Sequence, residues 1–144
     1  MEVVVNDTEL LRNFITRGIL TDTCEFDYVV SSAIIDNSNL IEKFILKRFI
    51  SSGKIRIEKF GNLTYSDLYH YTSTYGTDRY TYYEFHSIEI AKKYNLRLVT
   101  DNSAMKQLAQ SENVKILTLT QVEDILIRKI KIEDVIKIKK PDNL

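Results

Sequence analysis

The chain has 144 residues and 16.8 kDa, the size of one domain, and its 20 Lys+Arg balance 20 Asp+Glu to a formal net charge of zero. That balance excludes a bulk polycation that coats nucleic acid and an acidic disordered tail, while 44% hydrophobic residues supply a sizeable core. One cysteine, Cys24, allows no internal disulfide and no CxxC zinc motif, and fits a reducing, cytoplasmic setting. No apolar run nears the roughly 20 residues of a membrane helix. Residues 1–11 lack the basic-then-apolar order of a signal peptide. With four Gly and a single Pro, Pro141, no linker divides the chain. Residues 1–144 read as one domain with a basic tail from about 131 to 144.

Val3-Val4-Val5 is a β-branched run of the kind that forms a strand buried on both faces. Asn6-Asp7-Thr8 stops it with turn and capping residues, and Leu10, Leu11, Phe14 and Ile15 follow at helical spacing up to Gly18. Tyr28-Val29-Val30 predicts a second strand, and Ser31-Ser32 then caps one helix running through Ile34, Ile35, Leu40, Ile41, Phe44 and Ile45. Ser51-Ser52-Gly53 breaks that helix. Ile55 and Ile57 alternate with charge in a third strand that has one wet face. Residues 62–76 have helical character but are crowded with Tyr and Thr, and the spacing of Phe85, Ile88 and Ala91 predicts a helix over 80–94. Leu96, Leu98 and Val99 predict a fourth strand, and Met105, Leu108 and Ala109 a short helix. Val114, Ile116 and Leu117 predict a fifth strand, and Val122, Ile125, Leu126 and Ile130 a last helix. The alternation from Val135 to Lys140 reads as a last turn or an edge strand. Strands alternating with helices predict an α/β fold around a mostly parallel sheet.

In such a sheet, ligands bind beyond the carboxyl ends of the strands, near the point where strand order reverses. Asp7 follows the first strand and Asp101 the fourth; Asp36 lies on the helix leaving the second. Glu84 opens the helix that returns to the fourth strand. Connectivity therefore brings four acids to one sheet edge. Taken singly, Asp7 and Asp101 read as helix N-caps, and Asp36 and Glu84 as acids favoured by the helix dipole. Taken together, clustered carboxylates repel unless a cation offsets them. Oxygen donors without a Cys or His cluster suit Mg²⁺ or Mn²⁺, which polarise phosphoryl oxygens and activate water.

The segments Val3–Thr8, Val30–Asp36, Glu84–Ala91 and Leu98–Asn102 resemble, in order and spacing, the PIN domain family, above all its small stand-alone prokaryotic members. The resemblance covers roughly residues 1–130. It implies a three-layer α/β/α sandwich with a five-stranded sheet, and Mg²⁺- or Mn²⁺-dependent ribonuclease activity. It further implies a homodimer and the role of toxin in a toxin–antitoxin pair, with a small antitoxin as partner. By position, Asp7, Asp36, Glu84 and Asp101 match the family's catalytic, metal-holding acids, with Thr8, Thr100 and Asn102 in support. Asp36 stands where the family usually has Glu. Asn102 and His86 stand where many members carry a further acid.

Seven of the nine tyrosines lie between Tyr65 and Tyr83. They form either a stacking platform for single-stranded bases or a packing or dimer surface, and with only Arg79 basic in that stretch packing is the better reading. His70 and His86 read as structural, because no partner marks a nucleophilic centre. Two further function classes compete with the nuclease. One is a PIN-like scaffold that binds RNA or protein with weakened catalysis, and the other is a phosphoacceptor receiver domain. The receiver needs paired acids after the first strand and a Lys after the fifth, whereas Asn6-Asp7 gives one acid and Lys115 falls within the strand. Neutrality also hides a pattern. Residues 1–46 carry eight acids and three bases, 47–59 five bases and one acid, and 128–140 six bases and two acids. An acidic pocket between basic faces is the expected result.

Overall fold

In the computed structural model, residues 1–21 and 25–128 are described. Cys24, the alternating segment 135–140 and the basic tail lie outside the described residues. The first strand, β1 (Glu2–Val5), leads into helix α1 (Thr8–Thr16), and β2 (Asp27–Ser31) into α2 (Ser32–Asp36) and α3 (Leu40–Ser51). Strand β3 (Ile55–Glu58) is followed by a 3₁₀ turn (Phe60–Asn62) and helices α4 (Tyr65–Tyr75) and α5 (Tyr82–Tyr94). Then come β4 (Arg97–Val99), α6 (Ser103–Ser111), the short β5 (Ile116–Leu117) and α7 (Leu119–Arg128). The strands form one sheet in the order β3-β2-β1-β4-β5, with every pairing parallel.

The two-residue period of the strands divides the core. Val3, Val5, Tyr28, Val30 and Val99 face Leu11, Phe14, Leu46, Phe49, Val122 and Ile125, so α1, α3 and α7 cover this side. Val4, Val29 and Leu98 face Tyr71, Phe85, Ile88, Met105 and Leu108 from α4, α5 and α6. The result is the expected α/β/α sandwich. β1 is central because its three valines are fully buried on both faces, which only an interior parallel strand permits.

One expected helix is two. The hydrophobic spacing predicts one uninterrupted helix over 32–45, but the chain breaks at Asn37-Ser38-Asn39, where side chains compete with the helical ladder. Asn37 Nδ2 donates to the Ala33 carbonyl at 2.7 Å, and the Ser38 hydroxyl to the Ile34 carbonyl at 2.8 Å. Asn39 Oδ1 then accepts the Glu42 N–H at 2.8 Å and starts α3 as its N-cap. The Tyr-rich stretch forms α4, begun by a capping box between Thr64 and Asp67 and ended at Gly76, whose φ of 81° a side chain would oppose. Among the described residues, no helix is long and apolar enough to cross a membrane.

At the end of β3, Glu58 is buried and bound on several sides. Burial alone would raise its carboxyl pKa. Hydrogen bonds from Asn62 and Tyr94, both 3.0 Å, with the charges of Lys93 and Arg56, outweigh burial and hold it below the ordinary 4.5. A carboxyl depressed on folding stabilises the native state above its unfolded value, and that contribution is lost as pH falls through the folded value. Acid titration followed by circular dichroism should therefore show stability falling from about pH 5 downward. Glu58→Gln should be less stable at neutral pH and fall less steeply; an unchanged slope would show that Glu58 does not govern this region.

Candidate functional site

Strand order reverses between β1 and β4. The register pairs Val5 with Val99, so Asp7 and Asp101, each two residues further on, leave adjacent strands at equivalent heights. Helix α5 packs across β1, β2 and β4 and begins at the same edge with Glu84 in its first turn. These three acids, with Tyr83, Thr100 and Asn102 among the other lining residues, surround one cleft of about 410 Å³. The elements that deliver them are separated widely in sequence, and the sheet brings them together.

Four helices, α1, α5, α6 and α7, start around the cleft, and their first N–H groups need acceptors. Asp7 Oδ1 accepts the Glu9 N–H at 2.9 Å, and Asn102 Oδ1 the Met105 N–H at 3.0 Å. Glu84 Oε1 accepts from the Thr81 N–H at 2.8 Å and the Thr81 hydroxyl at 3.0 Å, while Thr81 caps the Glu84 N–H in return. Asp101 Oδ1 receives the Leu119 N–H at 3.2 Å, tying the loop after β4 to the start of α7. The capping role read for Asp7 is therefore real, whereas the helix after β4 is capped by Asn102 and Asp101 accepts instead from the first residue of α7. In Asp7, Glu84 and Asp101 these bonds use one carboxylate oxygen of two, and a carboxylate has about four lone-pair positions.

Asp36 is placed differently from the other three. Because the helix breaks after it, Asp36 ends α2 on the exposed surface, and it is not among the residues lining the cleft. Thr8, expected beside Asp7 as support, is buried and donates its hydroxyl to Glu42 Oε2 at 2.7 Å. Thr100 does line the cleft, and its hydroxyl accepts the Asn102 N–H at 3.1 Å.

Glu42, an acid that sequence reasoning did not single out, is also not among the residues lining the cleft, but Thr8 ties it to the Asp7 side. It sits in the first turn of α3, its side chain 15% exposed, tied through Thr8 to the residue after Asp7 and 4.0 Å from Arg12. Its signal was the Asn39-to-Glu42 capping spacing, which an uninterrupted helix obscures.

A second cavity, about 530 Å³, adjoins the first and shares Tyr83; Phe60, Arg79, Tyr80, Thr81 and Tyr82 are among its other walls. The tyrosines divide by role. Tyr71, Tyr75 and Tyr80 pack around Phe85, with Tyr71 stacked on it at 5.1 Å, as the packing reading expects. Tyr82 is 56% exposed and lines this cavity.

Both histidines have protein partners. His70 Nε2 lies 3.0 Å from Glu112. His86 is buried, its Nδ1 2.6 Å from the Ser31 hydroxyl and its ring edge-on to Phe60; burial lowers its pKa. The basic group at 47–59 is partly committed too, since Lys54 pairs with Asp27 at 3.1 Å and Arg56 with Glu2 at 2.9 Å.

No family model matches the chain, and no curated protein matches it. Among solved structures it is similar to a PilT N-terminus domain protein from the hyperthermophilic archaeon Sulfolobus solfataricus P2. The TM-score is 0.51 at 14% identity, over 91% of this chain and 95% of that one. This is a likeness of fold, and it agrees with the PIN-like architecture expected from the motifs.

The caps yield a direct test of what the acids do for stability. Asn caps a helix about as well as Asp, whereas Ala loses about 0.5–2 kcal/mol. Denaturant unfolding should therefore place Asp7→Asn near the wild type and Asp7→Ala lower by roughly 1 kcal/mol. Equal stability of the two variants would mean that Asp7 contributes no cap.

Proposed function

We propose that the chain is a ribonuclease dependent on Mg²⁺ or Mn²⁺. The observation that supports this most is the convergence of Asp7, Glu84 and Asp101, from three separate elements, on one cleft where strand order reverses. The donor set fits such a cation in kind, being entirely oxygen: three carboxylates, with Asn102 and Thr100 beside them. Among the described residues no three acidic, His or Cys side chains close around one point.

When bound, the ion would supply charge stabilisation at phosphorus and a water of lowered pKa. The protein's part is positional. Asp7 and Asp101 would hold the ion from adjacent strand ends, with Glu84 facing them from α5. The cap bonds fix one oxygen of each acid and so orient the other. Glu42, held by Thr8, adds negative charge on the Asp7 side, and exposed Asp36 takes no direct part. Leu10, Met105 and Leu119 give the cleft an apolar border that limits water around the scissile phosphate. The toxin role, an antitoxin partner and a homodimer belong to this reading through the resemblance, and each needs its own test.

A binding module with weakened catalysis is the second reading. It is favoured by Asn102 in place of an acid and by the engagement of each cleft acid in a cap. Calorimetry separates the two, since the nuclease reading requires Mn²⁺ binding that weakens in Asp101→Asn.

Cleavage of a single-stranded RNA should require Mn²⁺ or Mg²⁺ and stop with EDTA. Asp7→Asn, Glu84→Gln and Asp101→Asn preserve their caps, so each should fold while losing activity by about 100-fold or more, the scale for removing a preorganised electrostatic group. Glu42→Gln should lose more than Asp36→Asn, which should stay within about threefold of wild type. Full activity of Asp7→Asn in EDTA would sink the proposal.

A further inference from the structure

The aromatic cavity beside the acidic cleft has no part in holding a metal, yet its chemistry is specific. Its volume of about 530 Å³ falls in the range of pockets for small organic groups. Phe60, Tyr80, Tyr82 and Tyr83 give it flat apolar walls, and its lining holds one cation, Arg79, and one acid, Asp78, so it carries no net charge. A phosphate would find little there, whereas a neutral planar ring would find stacking faces and a hydrogen-bonding rim in Asn37, Thr77 and Thr81.

The walls are built to hold their shape. Tyr80 is buried, its hydroxyl donates to the Ala104 carbonyl at 2.9 Å, and its ring packs on Phe85 at 5.7 Å. The Arg79 guanidinium lies 5.4 Å from the Tyr80 ring centre and donates to Gln107 Oε1. Tyr82 is the exception, with more than half of its surface in water, where a large ring gains from a partner.

The two cavities are joined twice. Tyr83 lines both, and the capping box links Thr81 on the aromatic side to Glu84 on the acidic side at 2.8 and 3.0 Å. We infer that the aromatic cavity is a stacking subsite for one unpaired base of a nucleic acid strand whose phosphate lies in the acidic cleft. The inference rests on the nuclease reading for the identity of the neighbouring group. It adds that the strand must be single-stranded at that position and that Tyr82 and Tyr83 grip the base. A paired base keeps both faces stacked within its helix and cannot enter.

The probe is a short single-stranded RNA carrying 2-aminopurine, titrated with Ca²⁺ in place of Mg²⁺ or Mn²⁺, so that the charge of the acidic cleft is offset and binding is read apart from cleavage. The wild type should quench the probe on binding, and the same RNA annealed to its complement should not. Tyr82→Ala should weaken binding about tenfold, and Tyr82→Phe, which keeps the stacking face, should restore most of it. Tyr82 is exposed, so neither change threatens the fold; circular dichroism checks this. Mn²⁺-dependent cleavage is measured in parallel. Quenching that depends on Tyr82 without cleavage would uphold the subsite and sink the nuclease reading. Cleavage with binding unchanged in Tyr82→Ala would overturn the subsite and leave the nuclease reading in place. Loss of self-association in Tyr82→Ala, with no effect on the probe, would assign the cavity to a second copy of the chain and also overturn it.

Discussion

The site depends on one electrostatic requirement: helices that begin at the carboxyl edge of a parallel sheet present unpaired N–H groups there, and something must accept from them. Because β1 and β4 are neighbours while their helices and α5 and α7 all start beside them, four such helix ends meet around one cleft. Asp7, Glu84, Asp101 and Asn102 are the acceptors. Capping and a functional role are usually set against each other as explanations of an acid after a strand. Here the two are compatible, because the hydrogen bond that satisfies a helix end also fixes the carboxylate in place. The partial positive charge of the helix ends also offsets part of the repulsion among the acids.

Much of this was legible in the sequence because it rests on periodicity and punctuation. The run Val3-Val4-Val5 predicts a strand buried on both faces, and all three valines are fully buried. Asp7 and Asp101 are read as edge acids from their place after strands, which the parallel register then sets side by side. What was not legible depends on short-range competition or on packing at a distance. The hydrophobic spacing from Ile34 to Ile45 is helical throughout and does not register that Asn37, Ser38 and Asn39 would take over the backbone bonds. That break resets the start of α3 at Asn39 and with it the placement of Glu42. The tyrosines posed the other difficulty, since composition cannot divide seven like residues between core and surface. Only contact with Phe85 separates Tyr71 and Tyr80 from Tyr82.

The two cavities show how one helix supplies walls to both. The start of α5 supplies Tyr82 to the aromatic side, Glu84 to the acidic side and Tyr83 to both. Successive helical residues point about 100° apart, so three consecutive positions fan across adjoining walls. The same helix buries Phe85, Ile88 and Ala91 against the sheet, and this packing makes the fan rigid.

The pairing of β1 with β4 also orders events during synthesis. Val5 finds its partner Val99 only after two other strands and most of the helices have been made. Closing so long a loop is entropically expensive and slow compared with forming local helices. A nascent chain that has released β1, β2 and β3 can already pair those strands, but it has no fourth strand to set Asp101 beside Asp7 and no α5 to carry Glu84. The acids are thus kept apart on the ribosome until nearly the whole described fold has emerged.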